Sequence, residues 1–377
     1  MTMREYLRVA HLTLGLTVGT LFAVTGLTGS ALVFYPELDA LLNAPVRSIR
    51  GAAPPESYQA VYDALRRARP DRPERWRIEA PKGGGAVLGR SESAADRAGT
   101  QFAPVMAWVD PRDNRVVRSA TWGETAFLMT WIYDLHYRLR LGKPGAFVMG
   151  IAGLFVFGLL VSGLLAWWPR ARTPWRSWRI LGGGLRAQLY EMHTVAGIVA
   201  APVMLVIVVT GVMMSMPEYV RPLVSLFPTS AAQPVPASVQ TGQPRISIDA
   251  AIHSARERFP EAQLRWIETP DGPNGAFKIT FYQPGEPSHR FPQTYVWVDQ
   301  YSALVIAVRD PRAGRAGDMI LDWRHGLHKG EAFGLAGRVV AAVSGFVPLF
   351  LFIAGTWYWL LRPRGRGSLP PLGGLRK

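Results

Sequence analysis

Four long apolar runs interrupt an otherwise mixed chain, at roughly residues 9–35, 146–168, 194–216 and 339–361. Each exceeds the ~20 residues a helix needs to cross a hydrocarbon core about 30 Å thick. A buried soluble helix is seldom that long with so few charges, so the pattern predicts four membrane-spanning helices. Between the runs the period changes. "FKITFY" and "TYVWVD" alternate apolar and polar positions, as half-buried strands do. "YQAVYDALRRARPDRPERWRIEAP" and "IDAAIHSARERFPEAQLRWIETP" each read as an amphipathic helix followed by a strand, beginning at Trp76 or Trp266.

Those two segments are one sign of an internal repeat. His11 is followed 17 residues later by Thr28-Gly29, and His193 by Thr210-Gly211 at the same interval. "DLHYRLRLG" leads the second apolar run and "GLHKGEAFG" the fourth. His136 precedes Gly142 and Gly163 by 6 and 27 residues, as His328 precedes Gly334 and Gly355. Trp108-Val109-Asp110 matches Trp297-Val298-Asp299. Each half therefore reads as helix, outer α+β domain, helix. Both halves run the same way, which implies a pseudo-two-fold axis along the membrane normal.

The fold class this predicts is a membrane α-helical protein of four spans in two parallel repeats, with two outer α+β domains. The expected boundaries are helix 1 at 1–36, the first outer domain at 37–123, and a lead-in with the second helix at 124–168. A loop follows at 169–187, the third helix at 188–216 and the second outer domain at 217–318. A lead-in with the fourth helix covers 319–361, and a tail 362–377. The apolar N-terminal segment resembles a signal peptide, but its partner later in the chain marks it as a retained helix.

Charge sets the orientation. Arg4 and Arg8 precede the first run; Arg170, Arg172, Arg176, Arg179 and Arg186 join the second to the third; Arg362, Arg364, Arg366, Arg376 and Lys377 close the chain. Short arginine-rich flanks stay on the cytoplasmic side. Both termini are thus expected in the cytoplasm and both outer domains across the membrane. The net charge of +15 is then mainly a topology signal. No soluble basic face stands out, so no nucleic-acid partner is expected. With no cysteine, the outer domains lack disulfides, and covalent CxxCH haem attachment and thiolate iron–sulfur ligation are excluded.

Under the two-fold axis His11 faces His193 and His136 faces His328. Ionisable side chains near membrane helices are costly and usually functional, whereas a lone histidine more often serves helix packing. Two facing neutral imidazoles in an apolar slot suit the axial positions of a b-type haem. His11, Gly15 and Gly19 share one helix face, as do His193, Gly197 and Ala201. Room beside a macrocycle and close helix packing both explain such small residues. Zinc or copper on His325 and His328, at i and i+3, is a competing chemistry, without a clear tetrahedral completion. Tyr133 stands where a repeat partner of His325 would be. That leaves His325 as an extra group near the ligand, a propionate contact or part of an outer substrate site. A 23-residue apolar core spans about 35 Å, which sets ligands at its opposite ends far apart.

The helix "LRVAHLTLGLTVGTLFAVTGLTGSALVF", the helix "YEMHTVAGIVAAPVMLVIVVTG", the two lead-ins and the two "WVD" strands resemble the PepSY-associated transmembrane family over essentially the whole chain. More narrowly they resemble ferrisiderophore reductases of Gram-negative inner membranes, including the ferrioxamine type. The resemblance implies PepSY-like outer domains in the periplasm and two haem b groups. It also implies reduction of siderophore-bound Fe(III), of the hydroxamate type, by electrons from a cytoplasmic or quinol donor. Two other functions remain open: a non-redox membrane protein that binds peptides or regulates a partner, and a haem electron-transfer protein with a substrate other than iron.

Overall fold

A computed structural model describes residues 2–72, 75–92, 103–124, 127–168, 184–229 and 236–362. Arg170, Arg172, Arg176, Arg179, Arg364, Arg366, Arg376 and Lys377 lie outside the described residues. In chain order the elements begin with α1 (Met3–Val33), α2 (Tyr35–Leu42), α3 (Ala44–Arg47) and α4 (Tyr58–Ala68). Then come β1 (Trp76–Glu79), β2 (Val87–Ser91), β3 (Val105–Asp110) and β4 (Arg115–Thr121). Helices α5 (Leu128–Arg138), α6 (Gly142–Trp167), α7 (Leu185–Ser215), α8 (Pro217–Val224) and α9 (Ile248–Arg256) follow. The chain continues with β5 (Gln263–Glu268), β6 (Ala276–Tyr282), β7 (Thr294–Asp299) and β8 (Val305–Arg309). It closes with α10 (Ala316–His328), α11 (Gly334–Ser344) and α12 (Val347–Leu360).

Among the described residues, four helical stretches are long and apolar enough to cross a membrane: Met3–Val33, Gly142–Trp167, Leu185–Ser215 and Glu331–Leu360. A capping box opens α1: the Glu5 N–H donates to Thr2 Oγ1 and the Thr2 N–H to the Glu5 carboxylate. In the bundle, α1 packs against α6 and α12, and α7 packs against the same two. The fourth span breaks between α11 and α12 at Gly345, where the Ser30 hydroxyl of α1 donates to the Ala342 carbonyl at 2.6 Å.

Outside the bundle lies one antiparallel sheet of eight strands, in the order β4-β3-β2-β1-β5-β6-β7-β8. The two strand sets expected as separate domains meet edge to edge at β1–β5, with Arg77 opposite Glu268, Ile78 opposite Ile267 and Glu79 opposite Trp266. They also share a core. Val61 and Leu65 of α4, with Ile248, Ala251, Ile252 and Ala255 of α9, cover Trp76, Ile78, Ile267, Phe277, Ile279, Phe281, Val296 and Val298. Both helices carry serine N-caps: Ser57 accepts from Ala60 N–H and Ser247 from Ala250 N–H. Asp249 ties the helices together, accepting from the Ser57 hydroxyl at 2.5 Å and the Tyr58 N–H at 2.8 Å.

The opposite sheet face is joined to the bundle through α2, α3, α5 and α10. Arg309 of β8 forms a bidentate pair with Asp322 of α10 at 2.7 and 2.9 Å. Arg338 of α11 bonds Glu37 of α2 at 2.6 Å.

Candidate functional site: two facing histidine pairs

His11 of α1 and His193 of α7 face each other with ring centroids 6.1 Å apart and planes crossed at 86°. His136 of α5 and His328 of α10 form a second pair at 6.3 Å and 60°. Neither His136 nor His328 belongs to a long span. The chain brings them in by reversing sharply: Leu139, Arg140 and Gly142 take positive φ after α5, as does Gly330 after α10. Each lead-in helix thereby lies against the span of the other strand of the bundle, α5 on α1 and α10 on α7.

Each of these four histidines has its Nδ1 fixed from outside its own helix. His11 Nδ1–H donates to the Leu159 carbonyl at 3.0 Å and His193 Nδ1–H to Leu351 at 2.9 Å. His136 Nδ1–H donates to Thr25 at 3.0 Å and His328 Nδ1–H to Ile207 at 2.9 Å. Thr28 and Thr210 hydroxyls stand 3.1 Å from those last two nitrogens. A carbonyl only accepts, so the proton sits on Nδ1 and Nε2 keeps its lone pair. Oriented metal-binding histidines are held in this way. An iron held by both Nε2 atoms at ~2.0 Å places the two ring centroids roughly 6 Å apart. Both spacings suit that ligation.

A cavity of about 590 Å³ opens on the first pair, lined by His11, His193, Gly15, Gly19, Gly197 and Ala201 among others. That is within the ~300–1,000 Å³ of cofactor and ligand sites. An added Cβ at Gly15 or Gly197 would make ordinary van der Waals contact, 3.8 Å from Leu159 and 3.9 Å from Leu351, so neither glycine is forced by close packing. Gly19 instead packs closely, its notional Cβ 2.7 Å from the Phe352 ring. Arg8, Arg362 and Trp167 also line the cavity, and Trp167 Nε1 is buried without a hydrogen-bond partner. An apolar slot with two cations and an orphan donor at one end fits a flat group carrying carboxylates.

The pairs are closer than ligands at opposite ends of a span would be. His11 and Thr25 are fourteen residues apart on α1, as are His193 and Ile207 on α7, which is about 21 Å of helix. The lead-ins insert their histidines part-way down the bundle, which removes the rest of the expected 35 Å.

His325 does not join His328 as a ligand pair. Its ring stacks on Phe291 at 4.6 Å. Burial above all, then Arg324, pushes its pKa down to about 3, so the ring is neutral. Among the described residues no three His, Cys, Asp or Glu side chains cluster to hold a metal ion. His289 stacks on Tyr282 at 4.1 Å, and His253 is exposed on α9.

Four glycines belong to this site that sequence reasoning did not place there. A Cβ at Gly163 would meet His11 Cε1 at 2.8 Å, and one at Gly355 would meet His193 Cε1 at 3.1 Å. At Gly29 and Gly211 the distances to His136 and His328 Cε1 are 3.0 and 3.2 Å. The signal was present in the 17- and 27-residue intervals; what those intervals do not say is which histidine each glycine receives.

No curated protein matches this chain. A family model described as the PepSY-associated TM region matches residues 8–362, nearly its whole length. With four apolar spans in that region, this is a membrane protein of the PepSY-associated TM family.

Proposed function

We propose that this chain is a dihaem b-type reductase of the bacterial inner membrane, which passes electrons across the bilayer to siderophore-bound Fe(III) and so releases iron. The observation that carries the reading is the pair of histidine constellations. Each presents two neutral imidazoles at a ligating separation, each with its Nδ1 proton donated to a carbonyl of another helix.

In this reading His11 and His193 hold one haem, with Gly15, Gly19 and Gly197 beside it and Arg8 and Arg362 placed for its carboxylates. His136 and His328 hold the other. When bound, the haems would supply one-electron transfer through the apolar slab. The apolar helices exclude water around the ligands, and the fixed Nδ1 protons keep each imidazole basic and correctly turned. The arginine-rich flanks put the His11/His193 end towards the cytoplasm and a cytoplasmic or quinol donor. The sheet, built as two repeats of one PepSY-like unit, then lies in the periplasm. Hard-oxygen chelators hold Fe(II) less well than Fe(III), so one-electron reduction frees the metal.

A pyridine haemochrome assay on the purified protein tests the reading. Two non-covalent haems per chain are expected, with a reduced spectrum that ferric siderophore bleaches anaerobically. A colourless protein favours a non-redox role. Haems that only quinones or other acceptors oxidise favour an electron-transfer protein with a different substrate.

A further inference from the structure

Short helices join the long spans to the sheet, and the two halves cover them differently. In the second half α8 leaves the outer end of α7 with only Met216 between them. Tyr219, Leu223 and Leu226, at i, i+4 and i+7, share one face of α8 and the turn after it. They are 61%, 64% and 81% exposed. Glu218, Arg221 and Ser225 share a second face, and Val224 is buried on a third. Phe227, just beyond, is exposed as well.

α10 docks on the end of this helix. Gly317 N–H donates to the Pro228 carbonyl at 2.8 Å, and a Cβ at Gly317 would meet the Val224 carbonyl oxygen at 3.2 Å. Beside that junction α10 exposes Met319, Ile320 and Trp323. Seven large apolar side chains therefore stand uncovered next to one another in the chain's second half.

The fold does not require this. Counting from Thr28 and Thr210, Glu37 stands where Tyr219 does, and it bonds Arg338. Counting back from His136 and His328, Phe127 stands where Met319 does. Phe127 is 6% exposed and Met319 57%. The matching stretches of the first half expose three large apolar side chains, Leu41, Leu42 and Leu128.

The level of the patch identifies what covers it. His328 bonds the Ile207 carbonyl, eight residues short of Ser215, so it lies ~12 Å below the outer end of α7. α10 packs along α7. Trp323, Ile320 and Met319 precede His328 by five, eight and nine residues, no more than about 8, 12 and 14 Å of helix. All three thus sit within a few ångströms of where the apolar span ends. Tyr219 is at the same level, its ring 5.9 Å from that of Phe147, an exposed residue near the outer end of the α6 span. The patch continues the lipid-facing surface of the bundle without a gap.

We propose that α8 and the first turns of α10 are a membrane-contact surface additional to the four spans, seated in the headgroup layer of the leaflet on the sheet side. An amphipathic helix at this level sinks its apolar face to the boundary of headgroups and acyl chains. Tyrosine and tryptophan, here Tyr219 and Trp323, are the side chains that favour that boundary. Large exposed apolar patches mark either a protein or a membrane contact; the coincidence with the span ends and the continuity with Phe147 favour lipid.

The absence of cysteine makes the test direct. Single spin labels are placed through Leu223→Cys, Leu226→Cys and Met319→Cys in the full-length protein, reconstituted into liposomes of phosphatidylethanolamine and phosphatidylglycerol. Val148→Cys, exposed on α6, is the lipid reference, and Glu257→Cys, exposed beside α9, the water reference. At the three test sites collisions with oxygen should outweigh those with a water-soluble nickel chelate, as at Val148 and in reverse of Glu257. The derived depths should fall within about 5–10 Å of the phosphate level. Three sites on two elements keep the test decisive if one variant fails to fold. Labels as open to the nickel chelate as Glu257 would overturn the proposal. So would labels shielded from both colliders, the mark of a second protein chain on this face.

Discussion

The two halves of this chain treat their histidines alike and their sheet surfaces differently. His11 and His193 donate to carbonyls at 3.0 and 2.9 Å, and His136 and His328 at 3.0 and 2.9 Å. Each ring rests on a glycine of the neighbouring helix. On the sheet, Leu88 opposite Trp108 in one half becomes Lys278 opposite Trp297 in the other. On the proposed reading each ligand pair draws on both halves, and both halves then need the same histidine pattern. The sheet surfaces are under no such pairing: in the first half the cluster of Trp108, Phe127 and Val46 fastens the sheet to the chain leaving α1.

The largest effect is expected where the halves agree. His11→Ala or His193→Ala should remove one haem and leave the other, halving the haemochrome signal, while His136→Ala or His328→Ala should remove the complementary one. Loss of both haems from a single substitution would mean that the pairs are not independent. A graded version uses the glycines. Gly163→Ala drives a methyl to 2.8 Å from His11 and Gly211→Ala to 3.2 Å from His328. Haem retention should therefore fall more in the first variant, with Gly29→Ala and Gly355→Ala between them.

Much of this was legible in the sequence. The four spans follow from hydropathy to within a few residues at most ends, because ~20 apolar residues in a row have few soluble alternatives. Which histidines meet followed from equal intervals, since equal spacing on parallel halves fixes equal depth. The edge-to-edge union of β1 with β5 did not follow. Backbone pairing leaves no side-chain signature, and Trp76 and Trp266 mark strand starts without saying which edges join. Nor did the depth of the second pair, which depends on positive φ at Leu139 and Arg140, where neither residue type announces a left-handed turn. The packing of His325 on Phe291 was equally hidden, because it joins α10 to the segment before β7.

The sheet contrast can be broken by exchange. Leu88→Lys places an ammonium at a half-buried position of the apolar cluster beside Trp108, opposite Glu79, and should cost about 1 kcal/mol of stability or more. Lys278→Leu leaves Glu268 with Arg75 and Arg77, so thermal unfolding should shift by less than about 1 kcal/mol. Equal destabilisation by both changes would show that Lys278 is a structural residue and that the two faces differ in residue type only.

The smallest expected effect is a pH dependence confined to the second half. Lys278 has its pKa lowered to about 8, by burial first and then by Arg77, Arg75 and Arg309. Arg77 beside it is itself lowered to about 10 by burial first, and Tyr295 is pushed up to about 12 by burial. The sign follows directly. A lysine whose folded pKa lies below its unfolded value holds fewer protons when folded. The free protein should therefore gain stability as pH rises from about 8 towards the unfolded lysine value near 10.5. Lys278→Met, which carries no titrating group, should flatten that rise in thermal stability, leaving only what Arg77 contributes nearer pH 10. If the methionine variant keeps the parent's slope between pH 8 and pH 9, the titrating group is not Lys278.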